Sequence, residues 1–413
     1  MAAPVHAPMD QFQVQGGELQ IGGQRLSLLA ARVGQTPFYA YDRALLRSRV
    51  AQLRSALPQG VELHYAMKAN PLPALVGFMA GLVDGIDVAS AGELKVALDA
   101  GAAAAHISFA GPGKRDAELR QAVAAGVLVN VESPRELPVL ARAAQDLGRS
   151  ARVAVRVNPD FELKGSGMKM GGGPKQFGVD AEDVPALLAQ MGAMPGLAFE
   201  GFHLYAGSQN LRASAIAQAQ LQSFELALRL AACAPAPVQF LNLGGGFGIP
   251  YFPGETRLNL APVAEGLAQI QNRMRSELPQ ARIVIELGRY LVGEAGVYVT
   301  RVTDRKVSRG QVFLVVDGGL HHHLSASGNF GQVIRRNYPV AIGNRMQAEG
   351  AAPREAASVV GPLCTPLDLL ADRMDLAQAQ VGDLVVVFQS GAYGASASPQ
   401  GFLGHPACLE VLV

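Results

Sequence analysis

The sequence predicts an α/β fold with a (β/α)8 barrel in its middle and an antiparallel β domain at its C-terminal end. Eight apolar, β-like runs alternate with Ala/Leu-rich stretches between residues 60 and 290. This alternation is typical of a parallel sheet covered by helices, and eight units in roughly 230 residues fit a (β/α)8 barrel. Beyond residue 295 the pattern changes to short strands separated by turns, which indicates a second, β-rich domain.

The eight predicted barrel strands are short and mostly apolar. Between them, apolar residues recur at helical spacing, for example in Ala91–Ala100 and Ser214–Ala232. A doubly wound sheet is the main alternative arrangement of the same elements. The predicted strands are Glu62–Ala69, Gly85–Ser90, His106–Gly111, Val127–Ser133, Arg152–Pro159, Phe199–Ser208, Phe240–Gly246 and Arg282–Tyr290.

Polar residues at the strand ends favour the barrel over the doubly wound sheet. In barrel enzymes the carboxyl ends of the strands form the active-site face. Polar residues that simply mark strand ends would explain one or two positions, but not a whole ring. The ring consists of Lys68, Asp87 with Ser90, Ser108, Glu132, Arg156 with Asn158, Ser208, Gly244 to Gly246, and Glu286 with Arg289.

The β-rich domain is predicted to combine both ends of the chain. Two N-terminal runs, Glu18–Ile21 and Thr36–Tyr41, are β-like, and we expect them to join the C-terminal strands. We therefore predict a barrel domain of residues 37–295, and a β-sandwich or β-barrel domain of residues 1–36 and 296–413. The predicted C-terminal strands are Val297–Val307, Gln311–Gly319, Ala356–Gly361, Gly382–Tyr393 and Cys408–Val413.

Composition and charge argue against several classes of protein. The net charge is +1 without a Lys/Arg run, which disfavours nucleic-acid binding and a basic membrane anchor. No apolar stretch approaches the roughly 20 residues of a membrane helix, and the N-terminus lacks a signal-peptide pattern. Cys233, Cys364 and Cys408 are far apart, so we expect neither a disulfide framework nor a zinc site. We expect a cytoplasmic protein.

The segment Asp160–Asp180, after the fifth predicted strand, is rich in glycine between Lys164 and Lys175. So many glycines cannot hold a fixed element without help. The segment is interpreted either as a solvated linker or, because of its position at the predicted active-site face, as a lid that closes on substrate.

Lys68 is the first candidate for catalysis. It ends the first strand in His64-Tyr-Ala-Met-Lys68-Ala-Asn-Pro71, and partial burial turns an amine into a good nucleophile towards carbonyl groups. The alternative is a surface lysine whose stem covers apolar surface.

Two further motifs lie on the same predicted rim. Leu243-Gly-Gly-Gly-Phe-Gly248 follows the seventh strand, where glycine allows backbone N–H groups to approach a phosphate. It is not a G-x-G-x-x-G motif, which disfavours a dinucleotide fold. Glu286-Leu-Gly-Arg-Tyr290 ends the eighth strand, and a structural salt bridge is the alternative for its charged pair. A lysine, a phosphate cradle and a carboxylate on one rim are the groups that pyridoxal phosphate requires.

Taken together, the motifs resemble the ornithine/diaminopimelate/arginine decarboxylase family of fold-type III enzymes. The resemblance implies a barrel plus a β domain, pyridoxal 5'-phosphate as cofactor, and a homodimer with shared active sites. The motifs are Y-A-M-K-A-N, D-V-A-S-x-G-E, L-G-G-G-F-G, E-L-G-R-Y, G-P-L-C and G-A-Y-G, which occur in this order from about residue 36 to the C-terminus.

The resemblance implies a role for each matching residue. Lys68 would hold the cofactor's aldehyde, and Glu286 would pair with its pyridine nitrogen. Tyr205 stands where the family usually has a histidine stacked on the ring. Cys364 would approach the reacting carbon from the partner subunit, the alternative being a buried core thiol. The residues implied around the ring, the phosphate or the substrate carboxylate are Asp87, Glu93, Arg156, Ser208, Gly244, Gly245, Gly246, Gly288, Arg289 and Tyr393.

Two departures from the family pattern concern substrate recognition. Diaminopimelate decarboxylases have a glutamate directly after the cysteine, whereas Thr365 stands here. Their R-P-x-L-Y segment is absent, and Asp317-Gly-Gly is followed by His321-His-His323 and a run to Arg335 and Tyr338. The pattern is more similar to the exosortase-associated and butirosin-type decarboxylases, whose substrates are linked to a carrier protein. Arg335 and Tyr338 are candidate substrate-binding residues.

We do not expect a metal at His321–His323. Adjacent side chains of a strand face opposite ways, so at most two of the three histidines could share a face, and no carboxylate lies nearby in the sequence.

The predicted function is pyridoxal-phosphate-dependent α-decarboxylation of an L-amino acid, or of a derivative such as one tethered to an acyl carrier protein. Decarboxylation of free meso-diaminopimelate is the first alternative. A racemase of the same barrel type is a second, although racemases place an arginine where Glu286 stands. A non-catalytic regulatory homologue that has lost the cofactor is a third.

Overall fold

The computed structural model describes residues 4–161, 168–169, 171–346 and 353–413. Residues 162–167 and 170, part of the segment interpreted as a linker or a lid, lie outside the described residues. The helices of the described part are α1 Leu26–Val33, α2 Arg43–Ala56, α3 Pro73–Ala80, α4 Ala91–Asp99, α5 Asp116–Ala125, α6 Glu136–Leu147, α7 Val184–Gly192, α8 Ala213–Ala231, α9 Ala261–Glu277 and α10 Arg289–Val292.

The strands of the described part are short, apart from one long strand in the C-terminal third. They are β1 Val14–Gln15, β2 Glu18–Ile21, β3 Gln24–Arg25, β4 Phe38–Tyr41, β5 Glu62–Ala66, β6 Gly85–Val88, β7 Ile107–Phe109, β8 Leu128–Val131, β9 Ala151–Asn158, β10 Met168–Lys169, β11 Val179–Asp180, β12 Leu197–Leu204, β13 Gly207–Ser208, β14 Phe240–Gly245, β15 Arg282–Leu287, β16 Gly296–Ser308, β17 Gln311–Val316, β18 Val340–Ile342, β19 Arg354–Val360, β20 Leu369–Ala377, β21 Leu384–Val387 and β22 Leu409–Leu412.

The chain divides into two compact units. The barrel unit comprises residues 49–249 and 258–290, and the β-rich unit comprises residues 1–48, 250–257 and 291–413. These limits differ from the predicted boundaries at residues 37 and 295. The difference arises because β4 pairs with β16 and β22, which places it in the β-rich unit.

The barrel unit is a closed, parallel (β/α)8 barrel. Its strands follow the order β5, β6, β7, β8, β9, β12, β14 and β15, and β15 pairs with β5 to close the ring. The prediction of eight barrel strands is confirmed, and the doubly wound alternative is wrong because an open sheet would have two free edges.

Burial on both faces explains the composition of the barrel elements. Every residue of β6, β7 and β8 is buried, as expected for parallel strands between a barrel core and a layer of helices. The helices cover the sheet with one apolar stripe each. In α6 the stripe is Leu137, Leu140, Ala143 and Ala144, at helical spacing.

The β-rich unit is built around one sheet in which most neighbours are antiparallel. Its strands follow the order β18, β21, β16, β17, β19 and β20, and β4 lies between β16 and β22. The prediction that the N-terminal runs join the C-terminal strands is confirmed for β4 and wrong for β2, which pairs with β1 and β3 in a separate three-stranded sheet. Two pairings, β17 with β19 and β22 with β4, are parallel, because long connections return the chain in the same direction.

The core of the β-rich unit draws on both ends of the chain. Leu19, Ile21 and Phe38 pack in one cluster with Val297 and Val386, and all five side chains are buried. This cluster explains why the first 48 residues belong to the same unit as the C-terminal third. Among the described residues, no helix has the length and apolar character needed to cross a bilayer.

Candidate active site

Lys68 lies in a short 3-10 turn, Met67–Ala69, directly after the first barrel strand. Met67 and Ala69 are buried, whereas the Lys68 side chain is 43% exposed. Its Nζ atom lies 4.0 Å from Glu286 Oε1 and 5.7 Å from the centre of the Tyr205 ring. The amine is therefore accessible and lies next to a carboxylate and an aromatic face.

Gly288 allows the end of the eighth barrel strand to approach the Lys68 turn. A Cβ atom at residue 288 would lie 2.9 Å from Ala69 Cβ and 3.0 Å from the Ala66 carbonyl oxygen. Any larger residue would therefore push the strand that carries Glu286 away from the turn that carries Lys68.

Glu286 is a buried carboxylate with two basic neighbours. His203 Nε2 lies 3.0 Å from its Oε2 atom, while Lys68 faces Oε1. Burial alone would raise the pKa of Glu286, but His203, Lys68 and Arg156 outweigh it and lower the pKa below its usual range. The carboxylate is therefore ionised at neutral pH.

Asp87 is fixed inside the barrel by its neighbours. His64 Nδ1 lies 3.1 Å from Asp87 Oδ1, and the Ser108 hydroxyl donates to the same oxygen at 2.5 Å. Burial lowers the pKa of His64, but the Asp87 and Glu62 carboxylates together outweigh it, and the pKa rises to about 9. His64 of β5 and Asp87 of β6 thus form a buried ion pair between the strand that precedes Lys68 and its neighbour.

Glu93 belongs to the first turn of α4. Its side chain accepts a hydrogen bond from Ala89 N at 2.7 Å, and Ser90 Oγ accepts one from Glu93 N at 3.1 Å. This reciprocal cap satisfies backbone groups at the start of the helix. Burial raises the pKa of Glu93, and the charge of Lys68 acts in the opposite direction.

Arg156 is held by a second buried carboxylate. Its Nη1 donates to Glu132 Oε1 at 2.9 Å. The same carboxylate accepts from Gly111 N at 2.5 Å and from Gly178 N at 3.1 Å. Burial raises the pKa of Glu132, but the Arg156 charge and the other donors outweigh it and lower the pKa. These bonds fix the guanidinium at the end of β9.

The glycines at 244–248 are required by the close approach of another segment. Gly244 and Gly246 have φ angles of 68° and 70°, and a Cβ at residue 246 would lie 2.1 Å from the Gly207 carbonyl oxygen. The two segments also exchange backbone hydrogen bonds, since Asn210 N donates to Gly246 O at 2.9 Å. Ser208, in β13, lies on the segment that crosses the glycines.

We expect Gly246→Ala to destabilise the barrel unit much more than Gly148→Ala. Both glycines have positive φ angles, 70° and 59°, which cost an alanine about 1 kcal/mol each. A Cβ at residue 148 meets nothing within 4 Å, whereas the Cβ at residue 246 meets a backbone oxygen, which adds about 1–3 kcal/mol. Denaturant unfolding of both variants measures the difference, and equal losses would contradict it.

Cys364 and Tyr393 lie in the β-rich unit. Cys364 is exposed, so the alternative of a buried core thiol is wrong. Its loop is fixed by Asp368, whose carboxylate accepts from Leu363 N at 2.8 Å and from Leu320 N at 2.6 Å. The Tyr393 ring stacks on Phe330 with a distance of 6.3 Å between the ring centres.

Arg335 and Tyr338 are engaged within the β-rich unit. The Arg335 guanidinium donates to the carbonyl oxygens of Ser327 at 3.2 Å and of Leu369 at 2.9 Å. Tyr338 is buried, and its ring lies 4.6 Å from that of Tyr251. Both residues therefore fix the shape of the loop that contains them.

The three consecutive histidines are buried in a turn rather than in a strand. His322 Nε2 lies 2.8 Å from the Pro406 carbonyl oxygen, and His323 Nε2 lies 2.9 Å from Ser390 Oγ. Burial lowers the pKa of His323 to about 3. Over the described residues, no three His, Cys, Asp or Glu side chains form a group that could hold a metal ion.

The barrel unit thus brings together most of the residues predicted to bind the cofactor. Two histidines of this site, His64 and His203, were not predicted; they pair with Asp87 and Glu286. The signal was the two-residue period of the strands, which points alternate side chains to the barrel interior. His203 precedes Tyr205 by two residues, so the two side chains are expected on the same side of the predicted sixth strand.

A model of the pyridoxal-binding domain of pyridoxal-dependent decarboxylases matches residues 43–293. The chain belongs to this family. Its barrel, with the lysine turn and the glycine run, corresponds to that domain. The predicted family, cofactor and reaction class are confirmed: the protein is a pyridoxal-phosphate-dependent amino-acid decarboxylase.

Relatives within the family differ in the substrates that their names give. The L-glutamyl-(BtrI acyl-carrier protein) decarboxylase of Niallia circulans is 39% identical over 380 residues, which cover 92% of this chain and 89% of the relative. The diaminopimelate decarboxylase of Aquifex aeolicus is 33% identical over 408 residues, 97% of this chain and 92% of the relative. The diaminopimelate decarboxylase of Helicobacter pylori, solved with L-lysine, superposes with a TM-score of 0.82 at 27% identity and 94% coverage of both chains.

The residues of the barrel unit fit pyridoxal phosphate. Lys68 offers an accessible amine, and Glu286 is an ionised carboxylate beside it. The glycine run packs directly against backbone carbonyl groups of Leu204, Gly207 and Glu286, where a Cβ would not fit, and it lies after the seventh barrel strand, where barrels often bind phosphate. This fit disfavours the regulatory alternative, and a carboxylate at residue 286 disfavours the racemase.

Proposed function

We propose that the substrate is an aminoacyl group tethered to an acyl carrier protein, with a glutamyl group as the first candidate. The sequence around Cys364 supports this proposal. Thr365 and Pro366 stand where a diaminopimelate decarboxylase has the glutamate that holds the distal amino group. The Niallia circulans relative, whose name gives a carrier-bound glutamyl substrate, has the higher identity of the two curated relatives compared above.

Each barrel residue has a proposed task in this reaction. Lys68 would hold the cofactor through its amine. Glu286 would pair with the pyridine nitrogen, Tyr205 would cover one face of the ring, and Arg156 is held by Glu132 beside the site. Ser208, Gly244 to Gly246, Gly288 and Arg289 would hold the phosphate. The bound cofactor supplies an electron sink for the bond that breaks at the substrate's Cα.

Decarboxylation of free meso-diaminopimelate is the second candidate, because several relatives bear that name. The two candidates differ in what the distal end of the substrate requires. A free diamino acid needs a buried carboxylate for its second ammonium group, whereas a tethered group needs an open path to the carrier protein.

The substrate proposal is tested by comparing carrier-bound glutamate with free glutamate, diaminopimelate, lysine and ornithine. We expect kcat/KM for the carrier-bound group to exceed that for each free amino acid by at least about 100-fold, or about 2.7 kcal/mol. A higher kcat/KM for free diaminopimelate would contradict the proposal and favour the second candidate.

We also propose that the protein works as a cytoplasmic homodimer in which Cys364 serves the partner's active site. Cys364 lies in the β-rich unit, whereas Lys68 lies in the barrel unit. An exposed thiol is suited to deliver a proton to Cα after CO2 leaves. A two-fold interface would make the contribution reciprocal, so that each site contains one thiol from the other chain.

Mixing two inactive variants tests the shared site. We expect Lys68→Ala and Cys364→Ala chains to be nearly inactive alone and to regain about a quarter of wild-type activity when mixed one to one. In the heterodimer, one of the two sites has both residues intact. Native mass spectrometry confirms that the chains exchange, and exchange without recovery would contradict the proposal. Cys233→Ala, a second exposed cysteine, is the control.

A further inference from the structure

His203 lies at the end of the sixth barrel strand, β12, and is almost fully buried. Its Nε2 atom lies 3.0 Å from Glu286 Oε2, and the two side chains are 3% and 7% exposed. Lys68 approaches the other oxygen, Oε1, at 4.0 Å. The two oxygens of Glu286 therefore face different groups, one in the barrel interior and one at the mouth.

The barrel register places His203 between two polar residues of the neighbouring strands, and both of these residues form hydrogen bonds with groups other than Glu286. His203 pairs with Arg156 of β9 and with Asn242 of β14, and opposed residues of parallel strands face the same side of a sheet. The Arg156 guanidinium donates to Glu132, and Asn242 Oδ1 accepts from Gly244 N at 2.8 Å. Of this row, His203 is thus the member that contacts Glu286 Oε2.

We propose that His203 is a positioning residue for Glu286, which holds Oε2 in place and so keeps the carboxylate ionised and turned towards the cofactor's ring. The proposal rests on the proposed pairing of Glu286 with the pyridine nitrogen. It goes beyond that role because it assigns a task to His203, which lies 3.0 Å from Glu286 Oε2.

The physical reason is the cost of a buried carboxylate. Without an adjacent basic group, a carboxylate with this burial takes up a proton or changes its rotamer. A protonated Glu286 could no longer keep the pyridine nitrogen protonated. Lys68 lies a full ångström farther from the carboxylate than His203 does, so it is a weaker replacement for the lost imidazole.

Three variants of the full-length, cofactor-loaded protein test the proposal. His203→Leu removes the polar contact with Glu286 Oε2, whereas His203→Gln keeps an N–H group near the position of Nε2. Gln220→Leu, which replaces a buried polar side chain on α8 by an apolar one, is the matched control. Thermal unfolding shows that each variant is folded.

The main readout is the 15N chemical shift of the pyridine nitrogen in bound 15N-labelled pyridoxal phosphate. We expect a protonated nitrogen in the wild type, His203→Gln and Gln220→Leu. In His203→Leu the shift should move towards that of the free base, and kcat should fall about 10- to 100-fold with KM changed less than about threefold.

The outcomes separate this proposal from the role of Glu286. If Glu286→Gln shifts the nitrogen resonance and His203→Leu does not, the positioning role is overturned while the role of Glu286 stands. If the nitrogen of the wild type is already unprotonated, the proposed role of Glu286 fails, and the role of His203 fails with it. Loss of the protonated signal in His203→Gln as well as in Gln220→Leu would mean that any change of barrel packing has the same effect, which also overturns the proposal.

Discussion

We expect Lys68→Ala to lower kcat by at least about 1,000-fold, or about 4 kcal/mol. The lysine amine is the accessible nucleophile beside Glu286 and the face of Tyr205. Its loss removes the amine that would hold the cofactor covalently. The visible absorption of the bound cofactor should change, and borohydride should no longer link the cofactor to the protein.

A surface lysine provides the matched control for this prediction. Lys95 is 70% exposed and pairs with Asp99 on helix α4. Lys95→Ala should leave both turnover and borohydride labelling unchanged, since a solvated ion pair contributes little. Labelling of a lysine other than Lys68 in the wild type would show that the site has been placed wrongly.

We expect Glu286→Gln to lower kcat by about 100-fold while the affinity for pyridoxal phosphate changes by less than about tenfold. The amide has nearly the shape of the carboxylate but carries no charge. It cannot keep the pyridine nitrogen protonated, so the loss falls mainly on the transition state. Steady-state kinetics and cofactor titration together measure the two effects.

Glu200 provides the matched control for Glu286. It is a partly buried carboxylate of the same barrel strand as His203 and receives two hydrogen bonds from Arg152, at 2.6 and 2.9 Å. Glu200→Gln should reduce stability slightly without a selective loss of kcat. A similar loss of kcat in both variants would assign the effect of Glu286→Gln to packing rather than to its charge.

The barrel was predictable because its signal is local and repeated. Each strand is a short apolar run with a polar end, and each helix has one apolar stripe. The β-rich unit was harder to predict because its order depends on contacts between distant segments. Neither β18 nor β20 was predicted, and Leu369–Ala377, whose two aspartates are three residues apart, resembles a helix as much as a strand.

The site residues that belong to recognisable sequence motifs could be predicted. The residues that contact them in the folded barrel could not. Lys68, Glu286 and the glycine run stand out in the sequence, and the barrel unit contains all of them. His203 and Glu286 are far apart in the chain and become neighbours only when the barrel closes. The contact between them depends on strand register, which a single sequence does not reveal.

Removal of the α-carboxyl group of an amino-acid substrate can be followed directly. The test uses substrates labelled with 13C in that carboxyl group, carrier-bound glutamate included, in deuterated water with pyridoxal phosphate. We expect release of labelled CO2 and incorporation of one deuteron at Cα for each molecule released. Retention of the label with deuterium exchange at Cα would indicate a racemase instead. If cofactor-saturated protein releases no label from any substrate, the protein is not a decarboxylase of these amino acids.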